Sequence, residues 1–397
     1  MKVVVAIDSL KGSLSSLEAG YAISEGIHKA LSEAEVIVRP LADGGEGTVE
    51  ALTLGLNGIL EKVTVTGPLG QPVEAVYGIL ETSKTAIMEM SAAAGITLVD
   101  EQERNPLNTT TYGVGEMIKD AIGKGCRHFI MGIGGSATND GGIGMLQALG
   151  YGILDKEGRQ VPFGAKGLKE IDKITDDFVI PELEDCSFRV ACDVTNTLCG
   201  EQGCSAVFGP QKGATQAMIE QMDKWLAQYA KLTSQKYSKA NKNQAGTGAA
   251  GGLGFAFLSY TNAVLESGIK IIQEETRLEE YVKTADLVVT GEGRLDAQTV
   301  MGKAPIGVAQ LAKKYGKKVI AFSGCVTEDA VECNHHGIDA YFPILRSVVT
   351  LEEAMDPQNA RKNMVETVEQ VFRLIKVCEP FDKTTQGRSD VPEKNMI

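Results

Sequence analysis

The chain is poor in the residues that build metal centres. It has 397 residues but only four histidines, and none of its eight cysteines belongs to a Cys-x-x-Cys pair. These counts argue against a zinc site. The scattered cysteines are instead expected to be reduced, mostly buried thiols of a cytoplasmic protein.

Several other signals are missing. No run of about 18 apolar residues occurs, and the first residues enter a strand pattern at once, so we expect neither a membrane span nor a signal peptide. The formal net charge of −13 argues against nucleic acid and anionic membranes as partners. The motif G-x-x-x-x-G-K-[ST] is absent, which excludes a P-loop at the motif level. The absence of G-x-S-x-G disfavours an acyl hydrolase.

The apolar pattern that is present predicts an α/β protein. Short β-branched runs such as Val3–Ile7 are typical of parallel strands buried on both faces. Residues 62–90 have instead the texture of an antiparallel meander, and the α/β rhythm returns near Ala285. We therefore expect a discontinuous Rossmann-like (flavodoxin-like) parallel-sheet domain that carries an inserted mixed α/β domain, with the active site in the cleft. The expected ranges are 1–62 and 270–380 for the first domain, 63–269 for the insert and 381–397 for a flexible tail.

The most informative segment is the glycine-rich stretch Gly132–Gly144. It follows the apolar run His128–Met131 and leads into a helical pattern. Glycines let backbone N–H groups approach a phosphate, and a helix N-terminus favours its negative charge. A capped βα turn alone would also contain such residues. The many glycines interleaved with polar residues favour a binding loop, with these candidates: Gly134, Gly135, Ser136, Thr138, Asn139 and Asp140.

Small and acidic residues follow four predicted strand ends. These segments are Asp8–Ser13, Asp43–Gly47, Asp193–Asn196 and Gly291–Asp296. Ligands of open α/β sheets bind beyond the carboxyl ends of the strands, so the four segments predict one shared site. Its carboxylates suit Mg²⁺ binding and the acceptance of a proton from a hydroxyl group.

Cations within these loops are candidates for contact with an anion. Lys11 lies between a strand end and a helix, where an ammonium neutralises phosphate charge. Lys212 and Lys303 occupy similar tight turns with weaker context. Arg294 either clamps a carboxylate or pairs with a neighbouring acid.

These segments resemble the bacterial glycerate kinase family, in the class unrelated to P-loop kinases. The resemblance is collinear over residues 1–378, with one departure, Thr197, where a proline is expected after Asn196. It implies ATP-dependent phosphorylation of D-glycerate, at the 2-position, by direct Mg²⁺-assisted transfer. The motifs that carry it are Asp8–Leu14, Ala42–Thr48, Asn105–Gly113, Gly132–Gly144, Ala191–Asn196, Val207–Gly213, Ala250–Gly254 and Val289–Asp296.

Under this hypothesis each candidate residue has a role. The catalytic candidates are Lys11, Asp43, Glu46 and Asp193, and the metal candidates are Asp193 and Asp296. The candidates for binding glycerate or nucleotide are Asp8, Ser13, Gly44, Gly45, Gly134, Gly135, Ser136, Thr138, Asn139, Asp140, Asn196, Lys212, Glu292 and Arg294. The expected small molecules are ATP, Mg²⁺ and glycerate, and the sequence leaves a homo-oligomer open.

Alternatives remain at this point. A kinase for another short hydroxy acid would carry the same residues. The G-x-G-x-x-G at Gly246–Gly251 raises a dinucleotide-dependent hydroxy-acid oxidoreductase, although no predicted strand precedes it. A non-catalytic sensor on the same scaffold is the third alternative, which the many loop carboxylates disfavour.

Overall fold

The structure is a computed structural model, and it describes residues 1–42 and 44–378. The tail expected at 381–397 lies outside these residues. The described strands form sheets of five, six and two strands. They are β1 (Lys2–Val5), β2 (Glu35–Val38), β3 (Ile59–Thr66), β4 (Pro72–Leu80), β5 (Thr85–Glu89), β6 (His128–Gly132), β7 (Gly152–Leu154), β8 (Lys173–Thr175), β9 (Ser187–Ala191), β10 (Ala263–Glu266), β11 (Leu287–Leu295), β12 (Lys318–Val326) and β13 (Ala340–Pro343).

Helices surround both larger sheets. No helix in the described ranges is both long enough and apolar enough to cross a membrane. The helices are α1 (Ser16–Ala30), α2 (Thr48–Gly55), α3 (Ser91–Ala94), α4 (Tyr112–Gly123), α5 (Ile143–Ala148), α6 (Ala165–Leu168), α7 (Cys204–Phe208), α8 (Gln216–Lys236), α9 (Ala249–Tyr260), α10 (Gly268–Glu275), α11 (Leu278–Thr284), α12 (Ala304–Lys314), α13 (Glu332–His335), α14 (Leu351–Met355) and α15 (Pro357–Cys378).

The five-stranded sheet is entirely parallel. Its order is β13-β12-β11-β1-β2, with Val4 of β1 paired to Ile37 on one side and Val288 on the other. In chain order this is 2-1-3-4-5, the flavodoxin-like arrangement, in which ligands bind where the strand order reverses, here between β1 and β11. The predicted parallel α/β fold is confirmed. The edge position of β13 explains why a proline, Pro343, is tolerated in it.

Both faces of this sheet are covered, as the continuous apolar strands predict. Val3 and Val5 pack with apolar residues of α1 and α15, whereas Val4 faces a core shared with α2, α10, α11 and α12. Helix α1 begins with the predicted capping box, in which Ser15 and Glu18 satisfy each other's backbone N–H groups.

The six-stranded sheet is mixed, with the order β10-β9-β6-β5-β4-β3. Strands β3, β4 and β5 form the predicted antiparallel meander, and β5, β6, β9 and β10 are parallel. Ile87 and Ile130 of this sheet pack into the same apolar cluster as Leu52 of α2 and Ile271 of α10. The two sheets thus share one apolar layer, built from α2 and α10.

Two details differ from expectation. The segment Gly291–Asp296 was predicted as a loop, but β11 continues to Leu295 because it forms a ladder with β12. Strand β3 also begins at Ile59 and crosses the expected boundary at residue 62. The exact domain boundaries stay a prediction.

Candidate active site

A first cavity of about 400 Å³ opens beyond the carboxyl ends of β1, β11 and β12. We call it the strand-end cavity. Its lining residues fall into an apolar set and a set with charged or polar side chains, which we call the apolar wall and the polar wall. The apolar wall contains Leu10, Ile344, Leu345, Leu351, Ala354, Met355 and Ala360, and the polar wall contains Asp8, Ser9, Lys11, Ser13, Glu292, Arg294, Lys303 and Asn363.

The polar wall of the strand-end cavity is held by charged pairs. Lys303 Nζ lies 3.7 Å from Glu292 Oε2 and 3.8 Å from Asp296 Oδ1. Arg294 Nε donates to Asp296 Oδ2 at 3.0 Å, and Thr299 Oγ1 donates to Glu292 Oε1 at 2.7 Å. Asp296 therefore orients two of the three cations of this wall, Arg294 and Lys303, and it does not itself line the cavity.

A second cavity of about 450 Å³ lies over the glycine-rich loop. We call it the glycine-loop cavity. It brings together seven of the residues expected from sequence, which are Gly44, Gly45, Gly134, Gly135, Ser136, Asp193 and Lys212. The loops touch directly, since a Cβ built on Gly132 would lie 2.5 Å from Gly44 O. Residues from both sheets therefore form this cavity.

Backbone donors are exposed on the glycine-rich loop. Gly134 and Gly135 are solvent-exposed, and the φ of +71° at Gly135 turns the chain in a way that favours glycine. Within residues 1–42 and 44–378, no acceptor is present for the N–H groups of Gly134, Gly135 and Ser136. Consecutive backbone N–H groups that lack an acceptor at a turn form a concave site that binds anions.

Lys212 lies beneath this loop, on the inner wall of the glycine-loop cavity. Its Nζ donates to Ser136 Oγ at 2.7 Å and to the Thr138 carbonyl oxygen at 2.6 Å. Burial lowers the pKa of Lys212 from its usual value to about 8. The lysine is therefore protonated below pH 8 and ties the two ends of the loop's central turn together.

The structure differs from the sequence expectation for three polar side chains of the loop. Thr138, Asn139 and Asp140 are fully buried and point away from the cavity surface. The Asp140 carboxylate accepts hydrogen bonds from Thr111 N and Thr111 Oγ1, at 2.9 and 2.8 Å, and from Gly142 N at 3.0 Å. Asn139 Nδ2 donates to Ser205 Oγ at 2.8 Å. In the structure these three side chains support the loop from within, and their predicted contact with a ligand stays a prediction.

A third, smaller cavity of about 280 Å³ adjoins the strand-end cavity. It shares Ser9, Lys11 and Ser13 with that cavity, and it adds Glu50 of α2 together with Glu46 and Gly47 of the segment Asp43–Gly47, which we call the acidic loop. Gly44 and Gly45, immediately before Glu46, line the glycine-loop cavity. Lys11 and Glu46 thus line the same small cavity, and Glu46 is the chain neighbour of a residue that lines the glycine-loop cavity. Asp43, expected at the same place, lies outside the described residues.

The two predicted metal ligands do not share a site. Among the described residues, no group of three or more His, Cys, Asp or Glu side chains is placed to hold a metal ion. Asp296 is engaged with Arg294 and Lys303 and does not fit Mg²⁺. Asp193 fits better, because it lines the glycine-loop cavity and Mg²⁺ in kinases uses one or two carboxylates together with substrate phosphates. Its Oδ1 accepts from Gly268 N at 3.2 Å.

One further predicted residue lies elsewhere, and one useful residue was missed. Asn196 lines neither large cavity, and its Nδ2 donates to the Gln202 carbonyl oxygen at 2.9 Å.

Glu89, at the end of β5, was not anticipated. Its Oε1 accepts from Val49 N at 2.9 Å, which fixes the first turn of α2 behind the acidic loop, and burial raises the pKa of Glu89. A lone acid in the apolar run Thr85–Met90 was the available signal.

Comparison with known proteins shows the family of this chain. A sequence model described as the glycerate kinase family matches residues 3–376. A glycerate kinase of Haemophilus influenzae is 47% identical over 375 residues, covering 94% of this chain and 99% of that protein. A glycerate 2-kinase of Escherichia coli K12 is 48% identical over 354 residues, covering 89% and 93%.

The fold agrees as well. A crystal structure described as that of a glycerate kinase 2 from Salmonella typhimurium LT2 superimposes with a TM-score of 0.88 at 46% identity, covering 95% of this chain and 98% of that one. The residues that suggested the resemblance are spread over the same range as the family match. The chain belongs to the glycerate kinase family.

Proposed function

We propose that the protein transfers a phosphoryl group from ATP to D-glycerate, with the nucleotide in the strand-end cavity and glycerate in the glycine-loop cavity. The observation that carries this proposal is the arrangement of the cavities. The smaller cavity shares Lys11 with the strand-end cavity, and it contains Glu46, which directly follows Gly45 of the glycine-loop cavity. A donor and an acceptor in the two large cavities would therefore meet at a junction that holds both a cation and a carboxylate.

The strand-end cavity suits a nucleotide for two reasons. Its apolar wall, with Leu345, Leu351 and Met355, offers a surface for a base, and its polar wall carries Lys11 and two further cations for a polyphosphate. Its position at the β1–β11 crevice is also where doubly wound sheets bind ligands. The apolar wall suits the adenine and the polar wall suits the triphosphate, so we assign ATP to this cavity.

The glycine-loop cavity suits the smaller acid. It offers exposed N–H groups at Gly134 and Gly135, one buried cation at Lys212 and the carboxylate of Asp193. A single cation balances a substrate with one negative charge, whereas a triphosphate needs several. We therefore assign glycerate to this cavity.

Positioning and charge stabilisation carry most of the work in phosphoryl transfer. In our proposal Lys11 neutralises negative charge on the transferred group. An acidic-loop carboxylate, Asp43 or Glu46, orients the glycerate hydroxyl and accepts its proton. Mg²⁺ would be held by Asp193, and when bound it would neutralise charge on the phosphates. We place the reaction in the cytoplasm, which the eight free cysteines support.

The product we propose is 2-phosphoglycerate, supported by the name of the Escherichia coli relative. A panel of short hydroxy acids with ATP and Mg²⁺, followed through ADP release, tests the proposal. We expect turnover to be greatest with D-glycerate. Faster turnover of another hydroxy acid would favour the alternative kinase, and absence of turnover with every acid would contradict the proposal.

A further inference from the structure

Lys212 is a buried cation with neutral hydrogen-bond partners. The residue is 2% exposed, and within the described residues no carboxylate lies at ion-pair distance from its Nζ, although the buried Asp140 attracts it from farther away. Its two hydrogen-bond acceptors, Ser136 Oγ and the Thr138 carbonyl oxygen, are both neutral. A buried charge is costly unless it is paired. An unpaired ammonium in the wall of a cavity therefore favours an anion as the occupant of that cavity.

The same contact fixes the direction of the Ser136 hydroxyl group. A protonated lysine has three donors and no acceptor, so Ser136 Oγ must accept from Lys212. The hydrogen of that hydroxyl must then point elsewhere, and within residues 1–42 and 44–378 the only side-chain hydrogen bond of Ser136 Oγ is the one it accepts from Lys212. Ser136 lines the glycine-loop cavity. At pH values below the pKa of Lys212, the Ser136 hydroxyl is therefore available as a hydrogen-bond donor to a ligand in the cavity.

We propose that the Ser136 hydroxyl binds the carboxylate of glycerate and that Lys212 is the positioning residue that makes Ser136 a donor. This inference rests on the proposed function. It assigns the carboxylate end of the substrate to the Gly134–Ser136 turn, beside the exposed N–H groups. The hydroxyl end then faces the junction where Lys11 and Glu46 lie. It also implies that compounds without a carboxylate, such as glycerol and glyceraldehyde, are rejected.

Deprotonation of Lys212 would reverse the arrangement. The neutral amine has a lone pair, so it can accept the Ser136 hydrogen and withdraw the donor from the cavity. Several charged or titratable groups surround Lys212. The buried Asp140 accepts four hydrogen bonds on its carboxylate, and burial raises the pKa of Cys204 to about 11. Asp193 and Cys192 lie across the cavity, and the backbone of Arg104 packs on Gly213. Cys204 stays neutral through the range in which Lys212 titrates.

The first test is the variant Ser136→Ala, a small change that leaves the loop backbone intact. Loss of a hydrogen bond to a charged group predicts a rise in KM for glycerate of about 10- to 100-fold, with KM for ATP unchanged. Its discrimination against glyceraldehyde falls by the same factor. An unchanged KM for glycerate in Ser136→Ala overturns the inference.

The second test is the pH profile of kcat/KM for glycerate. In the wild type we expect a fall above about pH 8, because kcat/KM reports pKa values of the free enzyme. Lys212→Met loses this alkaline fall, and Lys212→Arg, which stays charged, keeps a low KM beyond it. Lys239→Met is the matched control. Lys239 also donates to a backbone carbonyl and has a pKa lowered by burial, but it lies in a separate cavity.

The pH dependence of folding stability distinguishes a loss of positioning by Lys212 from unfolding of the protein. Between pH 8 and the usual lysine pKa of 10.5, the unfolded chain holds a proton that folded Lys212 has released, so this group makes folding more favourable as pH rises. Activity is expected to fall over the same range. An alkaline fall that persists in Lys212→Met overturns the inference. If calorimetry shows that the wild type binds glycerate but no phosphorylation occurs, the proposed function fails. The affinity of Ser136→Ala for glycerate is then compared with that of the wild type to test the inference. Absence of binding overturns both.

Discussion

Gly45 and Gly134 face each other across the contact between the acidic loop and the glycine-rich loop. A Cβ built on Gly134 would have Gly45 Cα as its nearest heavy atom, at 3.8 Å. That distance is ordinary van der Waals contact, and φ at Gly134 is not in the left-handed region. Neither packing in the folded protein nor backbone conformation therefore demands a glycine at position 134, which lines the glycine-loop cavity.

Gly134→Val should consequently weaken substrate binding without unfolding the protein. The added methyl groups would occupy the space beside the exposed N–H groups, so we expect KM for glycerate to rise at least about 10-fold with little change in melting temperature. Steady-state kinetics and thermal melts provide the measurement. Gly123→Ala, in open space at the end of α4, is the control and should leave kinetics unchanged. Unchanged kinetics in Gly134→Val would remove the loop from the site.

Lys11 is predicted to act on the transferred phosphoryl group. Replacing it by alanine leaves developing negative charge unopposed, and loss of one such electrostatic donor costs roughly 10²–10³ in kcat. Rapid-quench measurement of ADP formation gives the rate of the chemical step. Lys62→Ala removes a lysine paired with Glu74 on an exposed strand and serves as control. A kcat within twofold of the wild type would assign Lys11 to the solvated surface.

The apolar wall of the strand-end cavity is predicted to hold the adenine. Leu351 lines it and is 78% exposed, so Leu351→Asp should not disturb the core. We expect KM for ATP to rise about 10-fold and KM for glycerate to stay constant, because a charged group cannot stack against the base without losing water. Leu374→Asp, at an exposed position of α15 away from the cavity, is the control. A change in KM for glycerate alone would exchange the two cavity assignments.

A divalent cation is predicted to be required, with Asp193 as its protein ligand. EDTA should abolish turnover, and Asp193→Asn should raise the Mg²⁺ concentration needed for half-maximal rate. In Asp296→Asn that concentration should stay as in the wild type, because Asp296 pairs with Arg294 and Lys303. Full turnover in EDTA would contradict the requirement, and an effect confined to Asp296→Asn would contradict the assignment.

Much of the fold could be predicted because its strands are strongly patterned. The β-branched run at Val3–Val5 is buried on both faces, as read from the sequence, and the meander at β3–β5 forms with the expected antiparallel pairing. The loop predicted at Gly291–Asp296 was wrong because two glycines and a charge suggest a turn locally. The backbone there is instead held as a strand by β12, which follows 23 residues after β11 ends. Tertiary pairing overrode local propensity.

The site could be predicted less completely, for a different reason. Sequence placed the glycine-rich and acidic loops at strand ends, but it could not show which polar side chains turn inward. Asp140 and Asn139 are held inward by their partners Thr111 and Ser205, which are 29 and 66 residues away. The contact of Lys212 with Ser136 likewise spans 76 residues. Such contacts depend on the packed fold and have no local signature.

The central claim is that the protein phosphorylates glycerate on its 2-hydroxyl group from ATP. The most direct measurement is NMR of the product formed from D-glycerate, ATP and Mg²⁺ by the wild-type protein, with ³¹P coupling used to locate the phosphate. Our account predicts 2-phosphoglycerate, formed in proportion to ADP. A 3-phosphoglycerate product would contradict the assigned position, and release of ADP without any phosphorylated acid would contradict the claim itself.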